Sequence, residues 1–430
     1  MNNIFKSLRT WVEINLDALE CNFDAVREEL PENMKILAVV KANAYGHGAI
    51  GVAKFLEDKA DYLAVAATDE ALELRKNGVN CPILILGHIP YGDYDNIVKF
   101  NITPTISDFY EAELLSKAAV KAGVTAPLHI AVDTGMNRIG FKCDENSVEE
   151  IKKIKTLPNI EIEGVFSHLA AADMLDKAYT KMQAEKFENF AAKLEDAGIN
   201  APIKHLYNSA AIADLEKKYD MVRQGIILYG LKPSDEVEFN NINIPQPVMS
   251  MKTRVVQVKT LPAGESISYG CTYTTEKETR VATLCAGYAD GVTRVLSNNG
   301  EVLIRGKRAK IIGRVCMDQF MVDVTEIECK EGDEVTLIGK DGDETLTMEY
   351  LGDASIKGVS NQKSCISGNT TVTYVEGKNI KILGEEALAN CTNVKEVNFP
   401  SAETICANAF NTCSVVGLNL PSVKELLMYA

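Results

Sequence analysis

The sequence has no run approaching the roughly 18 apolar residues that a membrane span needs. Residues 1–15 hold no apolar stretch and no cleavage pattern of a secretory leader, so a mature cytoplasmic protein is expected. The eleven cysteines are odd in number, scattered and without a C-x-x-C pair. That fits reduced thiols better than a disulfide framework or a zinc site. Only five histidines are present and no H-E-x-x-H occurs, so no metal is expected in the chemistry. Basic residues are outnumbered, 45 against 60 acidic, for a formal charge of -15. This balance argues against nucleic acid as a partner and leaves room for a small anion site. What remains is an ordinary soluble composition: 430 residues, 46% hydrophobic and 24% charged, enough for two or three domains.

Up to about Lys232, short apolar runs alternate with stretches of helical spacing. The runs are Ile36–Val40, Tyr62–Ala66, Ile83–Leu86, Ile102–Thr105, Leu128–Val132, Ile162–Phe166, Ile203–Leu206 and Ile226–Tyr229. The helical stretches include Thr68–Asn77, with Thr68 or Asp69 as N-cap, Asp108–Ala122, Ser147–Lys155 and Thr180–Ala197. Continuous apolar strands separated by helices predict a parallel sheet, and eight of them predict an α/β fold of the closed (β/α)8 type. An open doubly wound sheet is the alternative. Asn240–Pro247 reads as a linker. Strands with few helices follow: Met251–Val258, Thr279–Leu284, Glu301–Ile304, Ala309–Val315, Phe320–Val324 and Glu334–Ile338. From about Gly368 two segments repeat at a spacing of 21 to 22: Ala387–Cys391 recurs as Ala409–Cys413, and Asn398–Ser401 as Asn419–Ser422. Such a period suggests a leucine-rich-repeat-like tail, too short to form a solenoid alone. The expected domains are a barrel at 10–240, a β domain at 241–367 that residues 1–9 could join, and a tail at 368–430.

Lys41 ends the first strand candidate, in Val39-Val40-Lys41-Ala42-Asn43-Ala44-Tyr45-Gly46-His47-Gly48. The C-terminal ends of barrel strands face the active site, and a deprotonated lysine there can condense with an aldehyde. A solvated surface lysine is the plainer reading of one such position. Other polar residues also follow strand candidates: Arg138 in Asp133–Gly140, His168 in Phe166–Leu169, and Asn208 with Ser209, while Arg223-Gln224-Gly225-Ile226 opens the eighth. Gly225 permits close backbone approach, as a phosphate site would need. Taken singly, His168 reads equally as a core histidine and Asn208 as a helix cap. In the β region three clusters stand out: Ser268-Tyr269-Gly270, Gly287-Tyr288-Ala289-Asp290-Gly291 and Gly313–Gln319, which holds Met317 and Asp318. A tyrosine acts as a base only if its pKa falls well below about 10, which cationic neighbours can cause.

In combination and in order, these motifs resemble the alanine racemase family, over about residues 8 to 365. The resemblance implies a barrel followed by a β domain, and a head-to-tail homodimer whose active sites are completed by the partner's β domain. It implies pyridoxal 5'-phosphate as cofactor and a small amino acid as substrate. Lys41 then looks like the lysine of the internal aldimine and one catalytic base. Tyr269, from the partner chain, looks like the second base on the opposite face. Tyr45, Ser209, Gly225 and Ile226, with Asn208 beside them, look like phosphate-side contacts. His168 looks like the residue packed on the pyridine ring, and Arg223 like the arginine at its nitrogen. Arg138, Tyr288, Met317 and Asp318 match positions near the substrate carboxylate. The implied activity is interconversion of L- and D-alanine for peptidoglycan.

Two departures accompany the resemblance. Many members carry a carbamylated lysine two residues before the Asp of Asp-Thr-Gly, where this chain has Ala131, so Arg138 is to be held otherwise, by Asn137 or an anion. Members usually end in Ile-Ser-x-Arg-Val-Pro-Arg; here Cys365-Ile366-Ser367 runs into the repeat-like tail. Two alternatives follow. Asp173 and Tyr179–Gln183 resemble serine racemases of the vancomycin-resistance type. A cofactor-binding protein with impaired catalysis and an interaction tail is the other.

Overall fold

The computed structural model describes residues 8–214, 219–234, 236, 242 and 246–347, and six short strands between 374 and 426. The chain divides into two compact units. One is Ile14–Val248. The other joins the N-terminal residues to those from Met249 onward.

The first unit is built on eight parallel strands: Lys35–Val39, Tyr62–Val65, Ile83–Ile85, Thr105–Ile106, Ala126–Asp133, Ile160–Phe166, Ile203–His205 and Met221–Gln224. The last pairs with the first, Arg223 opposite Leu37. Arg223 N–H also donates to Tyr207 O (3.0 Å), and Leu84 bridges Thr103, so the ring closes. Alternate side chains face opposite ways. Leu37, Val39, Tyr62, Ala64, Leu84, Ile203 and Met221 form one buried cluster. Ile36, Ala38, Leu63, Val65, Ile83 and Ile85 join the larger core that includes the helices. Burial on both faces is why these strands read as unbroken apolar runs.

Three expectations need correction. Ile226–Tyr229 is a 3-10 turn, and the eighth strand is Met221–Gln224. Gly225 ends that strand, and the apolar run after it packs into the core without pairing. Arg223 therefore stands at a strand's exit and not at its entry. The fourth strand is Thr105–Ile106 and not Ile102–Thr105, because Pro104 has no N–H to give a ladder. A helix from before the first strand packs into the core between strands and helices, beside the segment that follows the eighth strand. In Leu16–Glu28, Asn22 Nδ2 donates to Leu228 O (3.1 Å) and Gln246 O (2.7 Å). The predicted helix at 68–77 spans Thr68–Lys76. Neither Thr68 nor Asp69 caps it. The Glu70 carboxylate does, accepting from Ala66 N (2.7 Å) and Ala67 N (3.2 Å).

The second unit is an antiparallel sheet in the order Thr10–Ile14, Met249–Leu261, Thr279–Leu284, Phe320–Asp323, Lys307–Ile312, Glu301–Ile304, Glu334–Asp341, Glu344–Leu346. Met249–Leu261 serves twice. Its first half pairs with Glu334–Asp341 and its second with Thr279–Leu284, with a register shift between Val255 and Gln257. That closes the sheet around Val255, Leu284, Val302, Ile311, Phe320 and Val335. Farther on, Tyr374–Glu376, Glu396–Asn398 and Gly417–Asn419 form one parallel ladder, and Ile382–Leu383, Thr404–Ile405 and Glu425–Leu426 another. Cys365-Ile366-Ser367 and the Ala387–Cys391 and Ala409–Cys413 repeats lie outside the described residues.

Phe320 is fully buried in the second unit's core. Phe320→Ala is expected to cost about 3–5 kcal/mol, read as a lower denaturant midpoint for that unit. A loss below about 1 kcal/mol would mean the core is not packed as described.

Candidate active site

The barrel holds a cavity of about 710 Å³ at the strands' C-terminal ends. Lys41, Tyr45, Arg138, His168, Asn208, Ser209, Arg223, Gly225 and Ile226 all line it, so the nine residues predicted in the barrel converge. Tyr269, Tyr288, Met317 and Asp318 belong to the second unit.

Lys41 is followed by a left-handed turn. Ala42, Asn43, Ala44 and Tyr45 all have φ between 52° and 54°. For L-residues this costs roughly 1–2 kcal/mol each. Several contacts hold it: Asn43 Oδ1 accepts Ala49 N (2.8 Å), Ala44 N donates to Val40 O (2.9 Å), and Glu70 Oε1 accepts Ala42 N (2.5 Å). The Tyr45 ring lies 5.0 Å from that of Tyr229, whose hydroxyl donates to Val39 O (2.8 Å). The turn thus delivers Lys41 and Tyr45 to one cavity.

Opposite them, Gly225 N–H donates to Ser209 Oγ (3.0 Å). A Cβ on Gly225 would stand 3.2 Å from Ser209 Oγ and 3.3 Å from the Tyr45 hydroxyl. The missing side chain leaves a polar cradle. Asn208 turns out to cap the Ser209–Asp214 helix, its Oδ1 accepting Ala211 N (3.2 Å).

Arg223 is 3% exposed. Its Nη1 donates to His205 Nδ1 (3.1 Å) and His205 O (3.2 Å). Its Nη2 donates to Ser167 O (2.9 Å), Leu206 O (3.1 Å) and His168 Nδ1 (3.1 Å). A guanidinium only donates, so both imidazoles present Nδ1 as acceptor and carry their proton on Nε2. His205 Nε2 then donates to His129 Nδ1 (2.9 Å). Burial, then the positive charges of Arg223, Arg138 and Lys41, pull His168 down to about 3. Burial and Arg138 lower Arg223 to about 9, leaving it charged at neutral pH. Lys41 is lowered by burial first, then by Arg138 and Arg223, against the opposing charge of Glu70. The site thus disfavours protons on the Lys41 amine and the His168 imidazole, and favours an anion.

No hydrogen bond or ion pair reaches the Arg138 guanidinium from the described residues. Asn137, expected to hold it, gives its amide to Gly135 O (3.2 Å). Tyr179 and Gln183 are also engaged. The Tyr179 hydroxyl donates to Gly135 O (2.8 Å), and the Gln183 amide reaches Thr134, His168 O and Ala170 N. Sequence reasoning missed Glu70, His129, His205 and Tyr229. Two signals were available: an acidic residue three positions into a helix start, and histidines inside apolar strands.

In the second unit, the loops of the three predicted clusters are bonded to one another, and Tyr269 is 71% exposed. Ser268 Oγ donates to Arg314 O (2.6 Å), and Tyr288 N donates to Cys316 O (3.0 Å). Arg9 bonds the Asp290 carboxylate and Asp318 O (3.1 Å). Gly287 admits no side chain, since a Cβ would fall 2.2 Å from Met317 O.

Fold and sites together define a two-unit enzyme whose barrel carries a polar cavity at its strand ends. Residues 14–233 match the family model of the alanine racemase N-terminal domain, and residues 248–374 that of its C-terminal domain. An alanine racemase of Methanococcus maripaludis is 50% identical over 345 residues, 80% of this chain and 92% of that protein. Alanine racemase 1 of Clostridium acetobutylicum is 44% identical over 386 residues, 88% of this chain and 99% of its own. Among solved structures, alanine racemase of Clostridium difficile 630 gives a TM-score of 0.77 at 44% identity, covering 81% of this chain and 90% of that one. That of Bacillus anthracis, solved with bound L-Ala-P, gives 0.76 at 38%, covering 80% and 89%. The chain belongs to the alanine racemase family.

Folding keeps His168 neutral between about pH 6.5 and 3, where the unfolded chain would protonate it. The unfolded state then binds more protons, so stability is full above pH 6.5 and falls as pH drops below it. The urea midpoint of the first unit is expected to fall from pH 7 to pH 5, with a shallower fall in His168→Gln. An unchanged midpoint in the unsubstituted chain would contradict the neutral imidazole.

Proposed function

We propose that this chain interconverts L- and D-alanine with pyridoxal 5'-phosphate held in the barrel cavity. The observation that carries the reading is the convergence of Lys41, Tyr45, Ser209, Gly225 and Arg223 on one cavity in a chain of this family. The cradle that a Cβ on Gly225 would fill, beside a lysine with a depressed pKa, fits the cofactor. When bound, the cofactor supplies an electron sink for the α-carbon. Lys41 Nζ is the group that would hold it. Tyr45, Ser209 and the backbone at Gly225 and Ile226 would take its phosphate. Arg223 would face the ring nitrogen, and His168 the ring.

Racemisation needs a proton removed from one face of the α-carbon and one returned to the other. Lys41 Nζ serves one face. Tyr269 of the partner subunit serves the other, which makes the working form a head-to-tail homodimer. The exposure of Tyr269 supports this, because a base completing a neighbour's site must project from its own surface. Arg138, with no partner among the described residues, is free for the substrate carboxylate. Tyr288, Met317 and Asp318, gathered beside Tyr269, would close the site from the partner's side.

Alanine is favoured over serine. Tyr179 and Gln183 spend their polar atoms on the barrel itself, leaving Asp173 alone of that set on the cavity wall. A cytoplasmic location and a supply of D-alanine to peptidoglycan fit the activity. The parallel ladders between 374 and 426 support a repeat-like tail.

The full-length chain with pyridoxal phosphate is expected to abolish the optical rotation of L-alanine, and to act more slowly on L-serine. Tyr269→Phe should keep the cofactor while kcat drops about 10²–10⁴-fold. Full activity in that variant would remove Tyr269 from the mechanism.

A further inference from the structure

We propose that Glu70 is a positioning residue for Lys41: its carboxylate clamps the left-handed turn that carries the lysine and Tyr45 into the cavity. The inference rests on the reading of Lys41 as the cofactor-holding amine. Glu70 spans two chain segments at the barrel rim. One oxygen accepts Ala42 N–H at 2.5 Å, the first amide of the turn. The other accepts Ala66 N–H at 2.7 Å and Ala67 N–H at 3.2 Å, just past the strand Tyr62–Val65. Both oxygens are therefore occupied by backbone donors on different strand exits. Ala66 lines the same cavity as Lys41.

The geometry explains why a carboxylate stands there. Four consecutive non-glycine residues in the left-handed region do not hold that shape unaided. Lys41 sits immediately before them, so any relaxation of the turn moves its backbone. An ionised carboxylate accepts on both oxygens, and its charge-assisted bonds are the stronger kind. A glutamine has one acceptor and would point an NH₂ at an N–H on the other side. A shorter aspartate cannot reach both segments.

Glu70 also acts on Lys41 through space, and the two effects have opposite signs. Arg138, Arg223, His168, Tyr45 and Glu70 face Lys41, and His88, Asp133 and Asp173 line the same cavity; of these, Glu70 is the one whose charge acts on the amine to hold its proton. Removing that charge alone would leave more neutral amine at neutral pH and speed its attachment to an aldehyde. In attachment, the Nζ lone pair adds to the aldehyde carbon. The carbonyl oxygen departs as water with the two protons of the neutral amine, and nothing is oxidised. Loss of positioning would slow attachment at every pH. The plateau at high pH, where the amine is already neutral, reads positioning with the charge effect removed.

The experiment strips cofactor from the full-length chain and from Glu70→Gln, then follows reattachment of pyridoxal phosphate by its near-visible absorbance from pH 6 to 10. The clamp predicts a plateau rate lower by on the order of 10–100-fold in Glu70→Gln, with the midpoint of the profile moved to lower pH. An unchanged or faster plateau would overturn it. Amide exchange in the unsubstituted chain gives a second reading that needs no variant: Ala42 N–H is expected to be protected, and rapid exchange there would also overturn the clamp. Racemisation of L-alanine is followed alongside. Attachment without racemisation would defeat the activity reading and leave the clamp to be judged on the plateau. Failure of the unsubstituted chain to attach cofactor would overturn both.

Discussion

The buried guanidinium of Arg223 is the constraint on which the barrel site depends. Removing a cation from water is costly unless every donor finds an acceptor. Here the acceptors come from the exits of two neighbouring strands: Ser167 O and His168 from one, His205 and Leu206 O from the other. One side chain thereby fixes the sixth, seventh and eighth strands at their C-terminal ends. It also sets the tautomers of two histidines, and through His205 that of His129. Its charge, added to Arg138, disfavours protons on Lys41 and His168. A cavity that pushes Lys41 and His168 toward their neutral forms is thus organised by a cation that stays charged at neutral pH.

The Gly225 side of the cavity works by different means. Among the described residues, hydroxyls and not charged side chains stand nearest the Gly225 cradle. The absent Cβ opens the space, and two hydroxyls with one backbone amide border it. The strained turn after Lys41 is what brings the Tyr45 hydroxyl there. Left-handed backbone in four successive residues is stored strain, held by the rigid ring of strands on one side and by Glu70 on the other. The proposed second base, Tyr269, lies in the other unit, on a surface loop; Gly313 and Gly287 allow the loops there to approach one another.

Much of this was legible in the sequence. Strands buried on both faces write themselves as apolar runs, so seven of the eight barrel strands were found within a few residues. The eighth misled because Ile226–Tyr229 is equally apolar and buried, yet follows a glycine and winds into a 3-10 turn. Pattern alone cannot tell a buried strand from a buried turn of that length. Lys41 and His168 were readable because they stand just at or after strand ends; Arg223 was singled out as the opening of an eighth strand that in fact ends just after it. Glu70, His129 and His205 were not, because their roles arise from contacts across the barrel. His129 and His205 are 76 positions apart and 2.9 Å in contact. Asn208 had both meanings from the start, and its cap is the one the hydrogen bonds support.

In the proposed mechanism, racemisation is divided between a lysine in one unit and a tyrosine presented to a second copy. The most direct test co-expresses two differently tagged full-length variants, Lys41→Ala and Tyr269→Phe, and purifies the mixed pairs. Neither variant alone should racemise L-alanine at an appreciable rate. Each mixed pair should hold one intact site, made of Lys41 from one copy and Tyr269 from the other, and activity should return. Mixed pairs as inactive as their parents would contradict a site shared between two copies.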